Sequence, residues 1–227
     1  MFAGLSVRRG LMLLLFVSAG SLGCVARPRT VIADLPLESI LDAPARPAAP
    51  RRIAKKPVRD KAAFPQSWTP EALPRPWRWI VIHHSASESG SAATFDEWHR
   101  ARGWDELGYH FVITNGRGGD DGSVEVGGRW TKQKWGAHCK TPDNRYNDFG
   151  VGICLVGDFR KGQPTVAQLA SLRRLTGFLA DRYGIDPGSV IGHRDAPGTA
   201  TACPGEKLSR HIRDRLRPWL TKRAAAK

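Results

Sequence analysis

The strongest constraint on this chain is a pair of short apolar runs that each end in histidine. Trp79-Ile80-Val81-Ile82 leads into His83-His84-Ser85, and Val190-Ile191-Gly192 leads into His193-Arg194-Asp195. Runs of this length, aromatic and β-branched, suit buried strands. Open α/β sheets hold their chemistry at strand ends, so both histidines fall where a site is expected. Adjacent strand residues point to opposite faces, so only one of His83 and His84 can serve a given cleft. Cys203 follows His193 across a Gly- and Pro-containing loop. Two histidines from separate strand ends plus a cysteine form a three-ligand set for zinc. Such a set leaves the fourth tetrahedral position open for water, the arrangement of catalytic rather than structural sites. Spacing alone leaves a second reading open, in which these are polar strand ends without a ligand.

With 227 residues, the chain has room for one domain with a sizeable core plus extensions. Its formal net charge of +14 favours an anionic partner such as a cell wall, a membrane surface, nucleic acid or an acidic polymer. The competing explanation is a generally basic proteome with no particular partner. No nucleic-acid motif accompanies the charge, so no specific nucleic-acid partner is expected.

Residues 1–24 read as a signal peptide. Arg8 and Arg9 form its positive region, residues 11–17 its short apolar core, and small residues precede Cys24. Cys24 after Gly23 fits a bacterial lipoprotein pattern imperfectly, because Ser21 stands where that pattern prefers Leu. An ordinary cleaved leader is the alternative. The expectation is export to the periplasm or cell envelope, with membrane anchoring through Cys24. Residues 25–65 are rich in Ala, Pro, Arg and Lys and read as a disordered linker. Residues 66–222 hold the domain, and residues 223–227 a basic tail. No internal repeat is visible.

Within the domain, Thr94-Phe95-Asp96-Glu97 reads as a capping box opening a helix through Ala101, with Gly103 ending it. Residues 109–114 alternate as a strand, and Val124 to Val126 is its hairpin partner beyond a Gly-rich turn. Residues 135–148 lack periodicity and read as a loop, and residues 150–156 as a buried strand. Thr165 caps a helix whose Val166, Leu169, Leu172, Leu175, Phe178 and Leu179 recur at helical spacing up to Gly184. A last helix over residues 207–217 is expected to stop before Pro218. Strands interleaved with helices predict an α/β fold.

Five blocks stand in one order: Ile82-His83-His84-Ser85-Ala86, the segment from Gly103 through Tyr109 to Phe111, Trp135-Gly136-Ala137-His138, the segment from Gly150 to Gly157, and Gly192-His193-Arg194-Asp195 with Cys203-Pro204-Gly205. Together they resemble the type-2 N-acetylmuramoyl-L-alanine amidases. That superfamily includes T7-type phage lysozyme and the peptidoglycan recognition proteins. The resemblance covers roughly residues 75–218. It implies a single α/β domain with a central mixed β-sheet flanked by helices, acting as a monomer on peptidoglycan.

The resemblance implies that His83, His193 and Cys203 hold Zn2+. Some family members carry Asp where Cys203 stands, and the step from His193 to Cys203 matches that branch in length. Tyr109 aligns with a tyrosine beside the metal-bound water, where its hydroxyl either orients that water or stabilises the oxyanion. Thr201 falls where relatives carry a catalytic Lys or Thr. Cys154 lies where another branch has a proton-handling glutamate, so this chain lacks an obvious carboxylate base. His138 aligns with a histidine lining the substrate groove, and Trp104 either stacks on sugar or packs in the core.

Cys139 and Cys154 remain over, with two alternatives open for them: a mutual disulfide, or Cys139 as a fourth zinc ligand that would close the site. The implied activity is zinc-dependent hydrolysis of the bond between N-acetylmuramic acid and L-alanine. The alternative is a non-catalytic peptidoglycan-binding module.

Overall fold

The computed structural model describes residues 63–227, and the expected signal peptide and most of the linker lie outside them. β1 (Trp79–His84) lies inside its sheet, parallel to β4 (Gly150–Leu155) on one side and β5 (Val190–Gly192) on the other. That position explains the uninterrupted apolar run: both edges and both faces of the strand are covered. β2 (Phe111–Ile113) pairs parallel to β4 and antiparallel to β3 (Val124–Val126). The five strands form one mixed sheet in the order β3-β2-β4-β1-β5.

Helices cover both faces. α1 (Ala92–Ala101) belongs to the face carrying Val81, Val112 and Cys154, where Phe95, Leu107 and Tyr109 pack. Two four-residue helices follow, α2 (Gly128–Thr131) and α3 (Arg145–Asp148), and α3 lies inside the segment that the sequence presents as loop. The other face carries Ile80, Ile82, Ile113, Ile153 and Leu155. It is covered by α4 (Val166–Tyr183) and by α5 (Glu206–His211), which passes through a π-helical turn at Ile212–Leu216 into α6 (Arg217–Ala225). Leu172, Leu175 and Leu179 of α4 are fully buried there, each stabilising the fold by about 2 kcal/mol.

The expected start and stop of α4 both form. The Thr165 hydroxyl accepts from Gln168 N at 3.0 Å, and the Gln168 amide oxygen accepts from Thr165 N at 3.1 Å. Gly184 ends the helix at φ 64°, a left-handed conformation that costs glycine little. α1 differs from expectation. Ser91, not Thr94, is its cap, in extended conformation and accepting from Thr94 N. Thr94 is already inside the first turn, where its hydroxyl meets that of Ser91 at 3.0 Å.

The C-terminal helix also continues past Pro218, through Ala225. The π-helical turn loosens the backbone just before the ring. The helix then resumes with Pro218 in its first turn, a position that needs no N–H donor.

Candidate metal centre

The parallel pairing of β1 with β4 and β5 decides which histidine serves the site. His83 sits on the same face as Val81, whereas His84 turns to the α4 face and accepts from Phe159 N through its Nδ1 at 3.1 Å. β5 ends one residue before His193, so His193 emerges beside His83, with ring centroids 4.6 Å apart. The loop after His193 returns through a backbone bond from Arg194 N to Cys203 O, 2.8 Å. This bond brings the Cys203 sulfur to 3.7 Å from His83 Nδ1. The ligand atoms of His83, His193 and Cys203 all lie within 4.8 Å of one another.

These three donors suit a zinc ion. A tetrahedron built with zinc–nitrogen and zinc–sulfur bonds of ~2.0–2.3 Å has nitrogen–sulfur edges of about 3.5 Å, close to the His83–Cys203 separation. Burial, reinforced by neighbouring histidines, holds His83 well below the ordinary imidazole range, and burial lowers His193 as well. Both rings are therefore neutral at neutral pH, the state in which imidazole binds metal. Burial pushes the Cys203 thiol up to about 12, against the opposing pull of the His84 amide, which donates to the sulfur at 3.4 Å. A divalent cation would displace that proton. Two nitrogens and a sulfur with no carboxylate favour zinc over magnesium or calcium.

Tyr109 and Thr201 flank these ligands. The Tyr109 ring lies 5.2 Å from that of His83. Burial, followed by the neighbouring Cys154 and Cys203, raises its pKa well above the usual phenol value, so it remains a donor. The Thr201 hydroxyl accepts from Cys203 N at 3.1 Å, which leaves its own proton free. Trp104, His138, Asn147, His193 and Thr201 line a groove of about 570 Å³ beside the ligands. Trp104 is not a core residue: it is 40% exposed and packs at a tilt against His99, with centroids 4.5 Å apart.

Of the two alternatives for these cysteines, the disulfide does not form, since Cys139 and Cys154 are both free. The two occupy different packing neighbourhoods. Cys139 is buried among Val81, Tyr146 and Ile191, and Cys154 among Leu107, Val112 and Val156. Nor does Cys139 join the ligand group, which among the described residues consists of His83, His193 and Cys203. Burial raises its thiol to about 12.

The N-acetylmuramoyl-L-alanine amidase family profile matches residues 73–206, more than half of the chain and all three candidate ligands. The chain belongs to this family. The endolysin of Klebsiella phage KP32 is 36% identical over 144 residues, covering 58% of this chain and 82% of the endolysin. The solved structure of N-acetylmuramoyl-L-alanine amidase LysC from Clostridium intestinale aligns with a TM-score of 0.50 at 30% identity, covering 58% of this chain and 78% of LysC. A Drosophila peptidoglycan-recognition protein LB mutant in complex with tracheal cytotoxin aligns with a TM-score of 0.50 at 29% identity, covering 65% of this chain and 86% of that one.

Three residues to which the sequence assigned no role shape the amidase-family groove. Arg129 is 2% exposed and donates to Leu107 O and Trp135 O at 2.7 and 2.8 Å, joining the two loops that frame Trp104 and His138. The Asn147 side-chain oxygen accepts from both His138 N and Cys139 N at 2.8 Å. His110 accepts from Gly152 N through Nδ1 and donates from Nε2 to Lys134 O. Only the position of His110 beside Tyr109 in a family block hinted at importance. A buried Arg or Asn satisfied by distant carbonyls and amides leaves no periodic trace.

Proposed function

We propose that this protein is a zinc-dependent amidase that hydrolyses the bond between the lactoyl group of N-acetylmuramic acid and L-alanine in peptidoglycan. The observation that carries this reading is the convergence of His83, His193 and Cys203, with Tyr109 beside His83 and with His193 and Thr201 lining the groove. The names of relatives support it: an endolysin, an amidase, and a recognition protein bound to tracheal cytotoxin.

His83, His193 and Cys203 would hold the zinc. When bound, the metal supplies Lewis acidity to the amide carbonyl and to the attacking water. Tyr109 keeps its phenolic proton and donates it as a hydrogen bond to the oxyanion that develops on the attacked carbonyl. Thr201, whose hydroxyl oxygen is occupied by Cys203 N, directs its remaining proton to the same charge. The groove beside Trp104 receives the muramyl peptide. Export, and anchoring through Cys24, complete the proposal and rest on residues 1–24 of the sequence alone.

The test is digestion of purified peptidoglycan, with products identified by mass spectrometry. Stem peptides beginning at L-alanine, lost with a zinc chelator and restored by zinc, are the expected result. Sedimentation with peptidoglycan without release of peptide would replace the enzyme with a binding module.

A further inference from the structure

His138 lines the groove, but its ring is tied to the ligand set more closely than to solvent. Its Nε2 lies 3.1 Å from the carbonyl oxygen of Gly150, and its Nδ1 lies 3.1 Å from Nε2 of His83. A carbonyl oxygen can only accept, so His138 Nε2 must carry a proton. In the neutral ring, Nδ1 is then an acceptor, and the proton of the second bond belongs to His83 Nε2. That leaves the His83 lone pair on Nδ1, the atom that faces Cys203 Sγ at 3.7 Å. The chain of donors runs in one direction, from His83 through His138 to the Gly150 carbonyl.

The backbone reserves space for this ring. A Cβ on Gly152 would stand 2.4 Å from His138 Cδ2, and one on Gly136 would stand 2.3 Å from the same atom. No side chain fits at either position while the imidazole is in place. Gly152 is in β4 opposite Val81, and Gly136 lies two residues before His138, so the ring is clamped between a strand and its own loop. Asn147 fixes that loop by accepting from His138 N and Cys139 N.

We propose that His138 is a positioning residue of the metal site: the Gly150 carbonyl sets its tautomer, and His138 in turn sets that of His83, presenting Nδ1 to the zinc. The inference rests on the zinc reading above and assigns to His138 a role separate from contact with substrate. Outer partners of metal-bound imidazoles orient the ring and raise its basicity, and their loss typically weakens metal binding by about 10–100-fold.

The test is the zinc affinity of the full chain, measured by competition with a chromophoric chelator in the absence of substrate. The cobalt(II) absorption spectrum and the thermal melt of the metal-free protein accompany it. His138→Leu should weaken zinc binding by about 10–100-fold and change the cobalt spectrum. His138→Gln, which offers one acceptor and one donor, should recover most of the affinity. Gly152→Ala, which leaves His138 in the sequence but fills its slot, should behave like His138→Leu.

Unchanged zinc affinity in His138→Leu, with only KM raised, would overturn the proposal and leave His138 as a groove wall. Should His138→Leu fail to fold, His138→Gln decides: a folded Gln variant with affinity near the unsubstituted chain supports the relay, and one with a large loss overturns it. Failure of the unsubstituted chain to bind zinc would sink the metal reading itself, an outcome visible before any variant is made.

Discussion

The Thr201 hydroxyl oxygen accepts the backbone N–H of Cys203 at 3.1 Å, so a candidate metal ligand and its neighbouring hydroxyl share one turn of chain. The bond fixes the oxygen and leaves the hydroxyl proton as the free group. Thr201→Val keeps the shape but removes both that proton and the acceptor of the Cys203 N–H. The expected outcome is a fall in kcat of about 10²-fold that exceeds any loss of zinc affinity from the freed Cys203 N–H, checked by steady-state kinetics on a muramyl peptide at saturating zinc and by chelator competition. Thr201→Ser should retain most of the rate.

Tyr109 offers a second, independent donor. Its ring is packed beside His83 and His99, so Tyr109→Phe preserves the packing and removes only the hydroxyl. kcat should drop by about 10²–10³-fold with little change in KM or in the thermal melt. A KM effect alone would place Tyr109 in substrate binding rather than in stabilising the oxyanion.

Acid should destabilise the metal-free protein through its buried histidines. Burial lowers His110 to about 4 from an unfolded value near 6.5, and burial shifts His83, His99 and His138 the same way. Above pH 6.5 the ring is neutral in both states and its contribution to stability is complete. As pH falls from 6.5 toward 4, the unfolded chain takes up a proton that the fold refuses. His110 alone then accounts for a loss of about 3 kcal/mol. Urea unfolding in chelator at pH 7, 5.5 and 4.5 should show that slope, and His110→Gln should flatten it.

Arg129 should matter to the groove although it touches no ligand. Arg129→Met leaves the carbonyls of Leu107 and Trp135 without their donor in a buried setting. The expected cost is about 3 kcal/mol in urea unfolding, with KM raised because Trp104 and His138 sit on the two loops it joins. An unchanged KM in a destabilised variant would restrict Arg129 to stability.

Much of the frame was legible without coordinates. Apolar runs ending at His83 and before His193 mark β1 and β5, and helical spacing between Thr165 and Gly184 marks α4. These features depend on neighbours within one or two turns of chain, which is the range that periodicity and capping chemistry report. The candidate ligands His83, His193 and Cys203 were legible from residue type and from the order of the family blocks, and the fold brings their ligand atoms within 4.8 Å of one another.

The start of α1 is not legible in the sequence because Ser91 and Thr94 are both capping residues, and only the extended backbone at Ser91 distinguishes them. Tertiary contacts likewise separated Cys139 from Cys154 and left both thiols free. They also set the direction of the His83–His138–Gly150 hydrogen bonds, between residues 55 and 12 positions apart. Sequence by itself determined which groups are available for chemistry at this site. The tertiary structure decided how their protons are arranged, because a tautomer depends on the acceptor that long-range packing places beside each ring.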